Sequence, residues 1–434
     1  MIRVRLIDFL SGKHARQYHR EYEKSQWYDR ERLDRYRIAK LRRLLAHCER
    51  SVPFYRDLMH AAHIHPDLVD SLQVLSRFPV MDKASVRAEY RRLAVEDMRG
   101  LGPIRYSVTG GTTGEPLRVP KDAAMRSSAQ GARLRFYDWM GVRFGEPVLV
   151  FWGAPIVRPG WRRRLRGTVL SALSNTQQVN TFGISREQLP ELAALFRRVR
   201  PVQVHGYCQS IYEVARWFVE AGESFPLKAV STTVEPLFPE YRPVFRSAFE
   251  SEAFDEYGCG EVETIAMECP THCGRHVIEE RVVLELDGEN NVIVTDLDNL
   301  AFPFIRYRNG DRAVAAEQPC TCGRPHQLLD RILGRVGDVI GGPSGKRVHP
   351  EFFTHLLNET GIAQRRAVRK YQVVQEAQRR LLWKIAAAPL DEHDRRWLVE
   401  QVRAYLGEVE VRIQEVDDIP VARSGKFQYV IART

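Results

Sequence analysis

The sequence predicts an α/β protein with a large N-terminal domain of mixed sheets and covering helices, followed by a small C-terminal α+β domain. Three observations lead there. Helix-like and strand-like runs alternate between Glu187 and Phe254, a β-hairpin pattern replaces that rhythm around residues 277–297, and the last hundred residues form a pattern of their own. A length of 434 residues leaves room for roughly three domains of about 150 residues. The hydrophobic fraction of 44% is enough to fill ordinary cores.

The first hundred residues are charged and helix-patterned, and Leu41, Leu44 and Leu45 draw an apolar stripe among arginines. Such a stripe fits helices packed on a larger body better than a nucleic-acid face. Further on, a helix over Glu187 to Val199 precedes a strand at Val202 to His205, and a helix over Ile211 to Glu220 is stopped by Gly222. The unit then repeats, with a strand at Lys228 to Val234, a helix from Pro239 to Phe249 and a strand toward Phe254. This alternation predicts a parallel or mixed sheet. Two β-rich runs, Val277 to Leu286 and Val292 to Leu297, are joined by Asp287-Gly288-Glu289-Asn290, a hairpin signal. At the end come a helix at Phe352 to Glu359, strands at Tyr371 to Glu376 and Leu381 to Ala387, a helix at Asp394 to Leu406 and a strand at Val409 to Val416. The Gly-rich run Gly334 to Gly345 before them reads as a hinge. The expected division is a helical part over 1–104, a core over 105–334 carrying a Cys/His insert, and a C-terminal α+β domain over 335–434.

The net charge of +10 comes from abundant charges of both signs, 65 basic against 55 acidic, which suits a basic enzyme better than a histone-like binder. No run approaches the ~18 apolar residues of a membrane span, and the N-terminus lacks the apolar region of a signal peptide. The expected location is the cytoplasm, and seven cysteines in that setting argue against a disulfide framework.

Ser107-Val108-Thr109-Gly110-Gly111-Thr112-Thr113-Gly114-Glu115-Pro116 is suited to holding phosphate. Its glycines let the backbone approach an anion, and its threonine hydroxyls and N–H groups can donate to phosphate oxygens. It lacks the Gly-Lys-Ser/Thr ending of a Walker loop. This arrangement resembles the phosphate loop of the adenylate-forming superfamily of acyl- and aryl-CoA ligases. It is most similar to the phenylacetate–CoA ligase-like branch with its CapK-like members.

On that resemblance the nucleotide would lie between the Thr109, Gly110, Gly111, Thr112, Thr113 and Gly114 loop and the strand-end segment ending Glu235-Pro236, with Tyr257-Gly258 against the adenine. The same resemblance gives Glu261 the Mg²⁺ on the ATP phosphates, Asp311 the ribose hydroxyls, and Arg335 a contact with the nucleotide near the hinge. A hard oxygen ligand suits Mg²⁺. Where the family usually has the first hinge acid this chain has Gly337, followed by Asp338. Lys426, in Ile419-Pro420-Val421-Ala422-Arg423-Ser424-Gly425-Lys426-Phe427, matches the catalytic lysine of a mobile small domain, placed to bridge the carboxylate oxygen and the α-phosphate. His205-Gly206-Tyr207 would line the carboxylate substrate, with the apolar stretch Val148 to Trp152 nearby; His205 reads equally as a satisfied core histidine.

Cys269-Pro270-Thr271-His272-Cys273-Gly274-Arg275-His276 and Cys320-Thr321-Cys322 flank the predicted hairpin. Thiolates with imidazole suit a closed, structural Zn²⁺ site. The resemblance implies Cys269, His276, Cys320 and Cys322 as ligands; Cys273 is the alternative fourth, and spacing alone does not choose.

The activity implied is ATP-dependent conversion of a carboxylic acid to an acyl-adenylate with release of pyrophosphate, followed by transfer to a thiol, CoA or a carrier protein, or to another nucleophile. ATP, Mg²⁺, structural Zn²⁺ and CoA are the expected small partners, and no nucleic acid is expected. Two other readings compete: a basic zinc-containing nucleic-acid binder, and a nucleotide-binding family member without ligase activity. The first leaves the glycine loop and the terminal lysine segment unexplained.

Overall fold

The computed structural model describes residues 8, 14–108, 117–152, 161–181, 186–335, 340–343, 347–348, 352–353, 356–357, 362–420 and 427–432. Contacts divide the chain into two units, Met1–Asn309 with Ala313–Ile332, and Gly310–Arg312 with Leu333–Thr434.

The first unit begins with helices α1 (Ala15–Ser25), α2 (Arg30–Ser51) and α3 (Pro53–Ala61), and short helices α4 (Lys83–Ala88) and α5 (Tyr90–Leu93) follow. Asp29 caps α2 by accepting from the Arg32 N–H, and Asp82 caps α4 by accepting from Ser85. The expected stripe is real: Leu41, Leu44 and Leu45 are fully buried. They share a core with Val262, Ile265, Val292, Val294 and Phe304.

The large sheet is built from β3 to β13. Strands β1 (Arg105–Val108) and β2 (Arg118–Lys121) form a separate antiparallel hairpin. After α6 (Ala123–Trp139) come β3 (Val148–Trp152), α7 (Trp161–Ser174), β4 (Thr176–Asn180), α8 (Leu189–Val199), β5 (Gln203–Tyr207), α9 (Cys208–Glu220), β6 (Ala229–Thr233), α10 (Tyr241–Phe249) and β7 (Ala253–Cys259). Then follow β8 (Glu263–Glu268), β9 (Arg275–Val277), β10 (Val282–Leu286), β11 (Asn291–Asp296), β12 (Tyr307–Ala315) and β13 (Leu328–Arg335). The order across the sheet is β10-β11-β12-β13-β9-β8-β7-β6-β5-β3-β4. Strands β4, β3, β5, β6 and β7 are parallel to their neighbours, and β7-β8-β9 turn antiparallel. The sheet is therefore mixed, with the helical crossovers on its parallel half.

One expected strand proves to be two. The run Val277 to Leu286 breaks at Ile278–Arg281, where the Arg281 N–H returns to the Ile278 carbonyl (2.8 Å), and only β10 pairs with β11 as the hairpin. The break buries three consecutive charges. Glu279 meets Arg37 at 2.7 Å and Arg30 at 2.9 Å, and Glu280 meets Arg135 at 2.7 Å with both side chains fully buried. Arg281, also fully buried, donates to the Ser128 hydroxyl (2.9 Å) and the Val262 carbonyl (3.2 Å). These pairs fasten the N-terminal helices and α6 to the sheet, because each charge withdrawn from water requires its partner.

The second unit holds a short hairpin, β14 (Ile340–Gly341) with β15 (Arg347–Val348), and the helix α11 (Ile362–Arg365). Its sheet is formed by β16 (Lys370–Ala377), β17 (Arg380–Ala386), β18 (Glu410–Glu415) and β19 (Val430–Ala432), in the order β18-β17-β16-β19. Helix α12 (Glu392–Leu406) is capped by Asp391. Fully buried Trp383 centres the core, edge-on to Phe353 and Tyr371. The parallel pairing of β19 with β16 is an addition to the sequence expectation.

Candidate active site and Cys/His corner

The β1–β2 hairpin brings the two ends of the Gly/Thr segment together, with Val108 opposite Arg118. Thr109, Gly110, Gly111, Thr112, Thr113 and Gly114 themselves lie outside the described residues, as do Gly337, Asp338 and Lys426. Arg335 ends β13, and its side chain is likewise outside them.

The hairpin is tied to the corner between β7 and β8, where the Ser107 hydroxyl donates to the Gly260 carbonyl (2.9 Å). That corner holds two expected residues, Glu261 and Tyr257. Glu261 is buried and accepts from the Tyr307 hydroxyl (2.9 Å), and the Tyr257 hydroxyl accepts from Asn309 Nδ2 (2.9 Å). Asp311 is buried on β12, two residues beyond Asn309. Gly258 has a steric reason, since a Cβ there would stand 2.3 Å from the Glu263 carbonyl oxygen. At the end of β6, Val234 has φ 77°, a conformation costly for a β-branched residue. Glu235 beside it is buried and accepts from the Gln209 backbone N–H (2.8 Å), with Pro236 next in sequence.

On β5, His205 Nδ1 lies 2.9 Å from the Ser231 hydroxyl, and the ring stacks on Trp152 at 6.3 Å. Burial pushes its imidazole down to about 4, with the Glu256 carboxylate opposing. His205 is thus neutral at neutral pH. Tyr207 also packs on Trp152, with ring centroids 4.7 Å apart. Gly206, with φ 145°, allows β5 to approach β3, because a Cβ would fall 2.0 Å from the Phe151 carbonyl oxygen.

An ion pair beside His205, with its carboxylate buried and its guanidinium part-exposed, is absent from the sequence reading. Arg133 on α6 meets Glu256 on β7 at 3.1 Å, and Glu256 also accepts from the Thr264 hydroxyl (2.6 Å). The signal was Asp122, an N-cap that accepts from Met125 ahead of an Ala-rich run. That places Arg126 and Arg133 two turns apart on one face of α6.

The structure brings Cys269, His276, Cys320 and Cys322 together with their ligand atoms all within 4.8 Å of one another. Tetrahedral Zn²⁺ with bonds of about 2.3 Å to sulfur and about 2.0 Å to nitrogen sets its ligands roughly 3.5–3.8 Å apart. Cys269 Sγ to Cys320 Sγ is 3.6 Å, and Cys322 Sγ to His276 Nε2 is 3.4 Å. The donor set and spacing fit the metal. Burial pushes the Cys269 thiol up to about 12, and a cation bound there would deprotonate it. Cys273 is exposed and stands apart, its sulfur 3.7 Å from the Thr321 hydroxyl. Buried His276 Nδ1 has no hydrogen-bond partner among the described residues; its ring is held by Trp139 and His326 at 5.8 and 5.9 Å.

Comparison with known proteins agrees in both units. Residues 340–433 match the family model of the CapK C-terminal domain. The phenylacetate–coenzyme A ligase of Thermus thermophilus is 26% identical over 338 residues, 72% of each chain. That of Escherichia coli K12 is 26% identical over 330 residues, 71% of this chain and 72% of the other. A 2-hydroxyisobutyryl-CoA ligase crystallised in its postadenylation state superimposes with a TM-score of 0.71 at 18% identity, covering 92% of this chain and 89% of that one.

The chain has the fold of an AMP-forming CoA ligase and is similar in sequence to phenylacetate–CoA ligases over 72% of its length. Those homologues stand at a distance of 26% identity, and the C-terminal unit resembles a CapK C-terminal domain. No helix among the described residues is long and apolar enough to cross a membrane.

Proposed function

We propose that this chain activates a carboxylic acid with ATP, forming an acyl-adenylate and pyrophosphate, and then passes the acyl group to a thiol, CoA or a carrier protein, or to another nucleophile. The observation that carries the reading is the agreement of the ligase fold along 92% of the chain with buried Tyr257 and Glu261 at the corner that Ser107 ties to the β1–β2 hairpin.

In this proposal the Thr109–Gly114 segment donates to the phosphates, Tyr257, Gly258, Glu235 and Pro236 bound the adenine slot, and Asp311 accepts from the ribose hydroxyls. Arg335 adds a cationic contact to the nucleotide. Glu261 would hold Mg²⁺, which supplies charge neutralisation on the phosphates. His205, Gly206 and Tyr207 border the acid; a neutral His205 leaves the attacking carboxylate ionised and able to approach the α-phosphate. Lys426 follows the negative charge as it shifts from carboxylate to phosphate. Cys269, His276, Cys320 and Cys322 would hold a structural Zn²⁺ that fastens the β8–β9 connection to the segment before β13. The proposed setting is the cytoplasm.

The test is a panel of carboxylic acids incubated with the protein, ATP, Mg²⁺ and hydroxylamine. Hydroxamate and pyrophosphate should appear together and only with acid present. Tight ATP binding without pyrophosphate release from any acid would instead identify a nucleotide binder without ligase activity.

A further inference from the structure

Two residues of β12 bond to the corner that holds Glu261 and Tyr257, and no sequence expectation falls on either. Tyr307 and Asn309 stand two positions apart, so they leave the strand on the same face. The Tyr307 hydroxyl donates to Glu261 Oε1 (2.9 Å), and Asn309 Nδ2 donates to the Tyr257 hydroxyl (2.9 Å).

Glu261 is 7% exposed, and among the described residues Tyr307 is its one hydrogen-bond partner and no basic side chain pairs with it. A carboxylate offers about four acceptor positions, and a neutral phenol fills one of them while compensating none of the charge. The rest is free for a hard cation. The phenol itself has little freedom. Tyr307 is 1% exposed, and its ring packs on Phe304 with centroids 4.7 Å apart. Its backbone is clasped by Met81, whose N–H donates to the Arg306 carbonyl (3.0 Å) and whose carbonyl accepts from the Arg308 N–H (2.9 Å). A donor fixed in this way holds one rotamer of the flexible side chain that accepts from it.

We propose that Tyr307 and Asn309 are positioning residues of the nucleotide site: Tyr307 sets the Glu261 carboxylate for the Mg²⁺ that accompanies ATP, and Asn309 sets the Tyr257 ring for the base. This rests on the roles proposed above for Glu261 and Tyr257. A core hydrogen bond with no such role would add stability and leave the metal dependence of ATP binding alone.

The experiment titrates ATP into the full chain by calorimetry, without any carboxylic acid, once with excess Mg²⁺ and once in buffer freed of Mg²⁺ by a chelating resin before the protein is added. The ratio of the two affinities measures the gain from the metal. Each variant is its own reference, so a partial loss of folded protein lowers the number of sites titrated and leaves the ratio unchanged. Tyr307→Phe should reduce the wild-type gain roughly tenfold and keep the Mg²⁺-free affinity. In a Glu261→Gln background Tyr307→Phe should change nothing further, because the hydroxyl acts through that carboxylate. Asn309 is only half-buried, so Asn309→Ala tests the second bond with the core intact; it should weaken ATP binding by the same factor in both buffers.

A gain that is lost in Glu261→Gln but kept in full by Tyr307→Phe would overturn the Tyr307 assignment and leave the role of Glu261 standing. A wild type without any gain, or a gain that survives in Glu261→Gln, would overturn both. A further loss on adding Tyr307→Phe to Glu261→Gln would make Tyr307 a structural residue, and unchanged affinities in Asn309→Ala would overturn the assignment of Asn309. Failure of every acid to yield hydroxamate would count against the activation reading alone, since these titrations use no acid.

Discussion

The Cys/His corner and the cavity at the foot of the β1–β2 hairpin both gather polar groups, yet they are built on opposite plans. In the corner four donors face one another within 4.8 Å, with nothing left over for a substrate. In the cavity Lys121, Arg126, Arg133 and Glu263 line an opening, and Arg133 Nε is buried without a hydrogen-bond partner among the described residues. A closed donor set stabilises a fold, whereas an open one leaves room for a ligand. Variants of the corner should therefore change stability and metal content before chemistry, and variants around the open site should change binding or rate while the fold stands.

The largest effect is expected at Cys320. Purified protein should contain one Zn²⁺ per chain, and Cys320→Ser should lose it along with several kcal/mol of stability, since structural zinc is worth on the order of 10 kcal/mol in small peptides. Cys273→Ser should leave the metal content unchanged, because Cys273 stands outside the cluster. Metal analysis finding no zinc in the wild type would break the comparison at its closed end.

Next comes the buried Arg135–Glu280 pair, which is closed like the corner but without a metal. Glu280→Gln should cost ~3–5 kcal/mol in chemical denaturation by leaving Arg135 uncompensated. Burial alone would raise the Glu280 carboxyl, but Arg135 and His326 hold it well below its usual 4.5. A depressed carboxylate contributes stability that is present above the unfolded pKa and is lost as pH falls through the folded one. The gap between wild type and Glu280→Gln should thus be full at neutral pH and narrow in acid below about 4.5.

If Lys426 has the proposed catalytic role, Lys426→Ala should slow adenylate formation by ~10²–10³, read by rapid quench. Thiol transfer from a pre-made acyl-adenylate should be much less affected. Asp311→Ala should weaken ATP binding roughly tenfold to a hundredfold, since hydrogen bonds to a charged group contribute about 1.5–3 kcal/mol. Calorimetry measures it, and an unchanged melting temperature shows that the fold is intact.

Much of this architecture was legible in the sequence, for identifiable reasons. Leu41, Leu44 and Leu45 announce a buried helix face by spacing alone, and Gly222, with φ 69°, stops α9 where a stop was expected. The four metal candidates are named by their chemistry, but the choice between His276 and Cys273 needed the pairing of β9 with β8 and β13, which turns His276 inward. Glu279, Glu280 and Arg281 read as the charged middle of a strand. They are buried, because Arg30, Arg37, Arg135 and Ser128, 145 to 249 residues away, neutralise or cap them, and no local pattern encodes such pairings. Arg133 and Glu256 were missed for the same reason: their meaning appears only when α6 lies across the end of β7.

Carboxylic-acid-dependent exchange of labelled pyrophosphate into ATP tests the central claim most directly, since it reports reversible adenylate formation without any thiol acceptor. The account predicts that wild-type protein with Mg²⁺ catalyses this exchange only when its acid is present, and that Lys426→Ala reduces it at least a hundredfold while still binding ATP. A folded wild-type protein that binds ATP but shows no exchange with any acid, or exchange undiminished in Lys426→Ala, would contradict it.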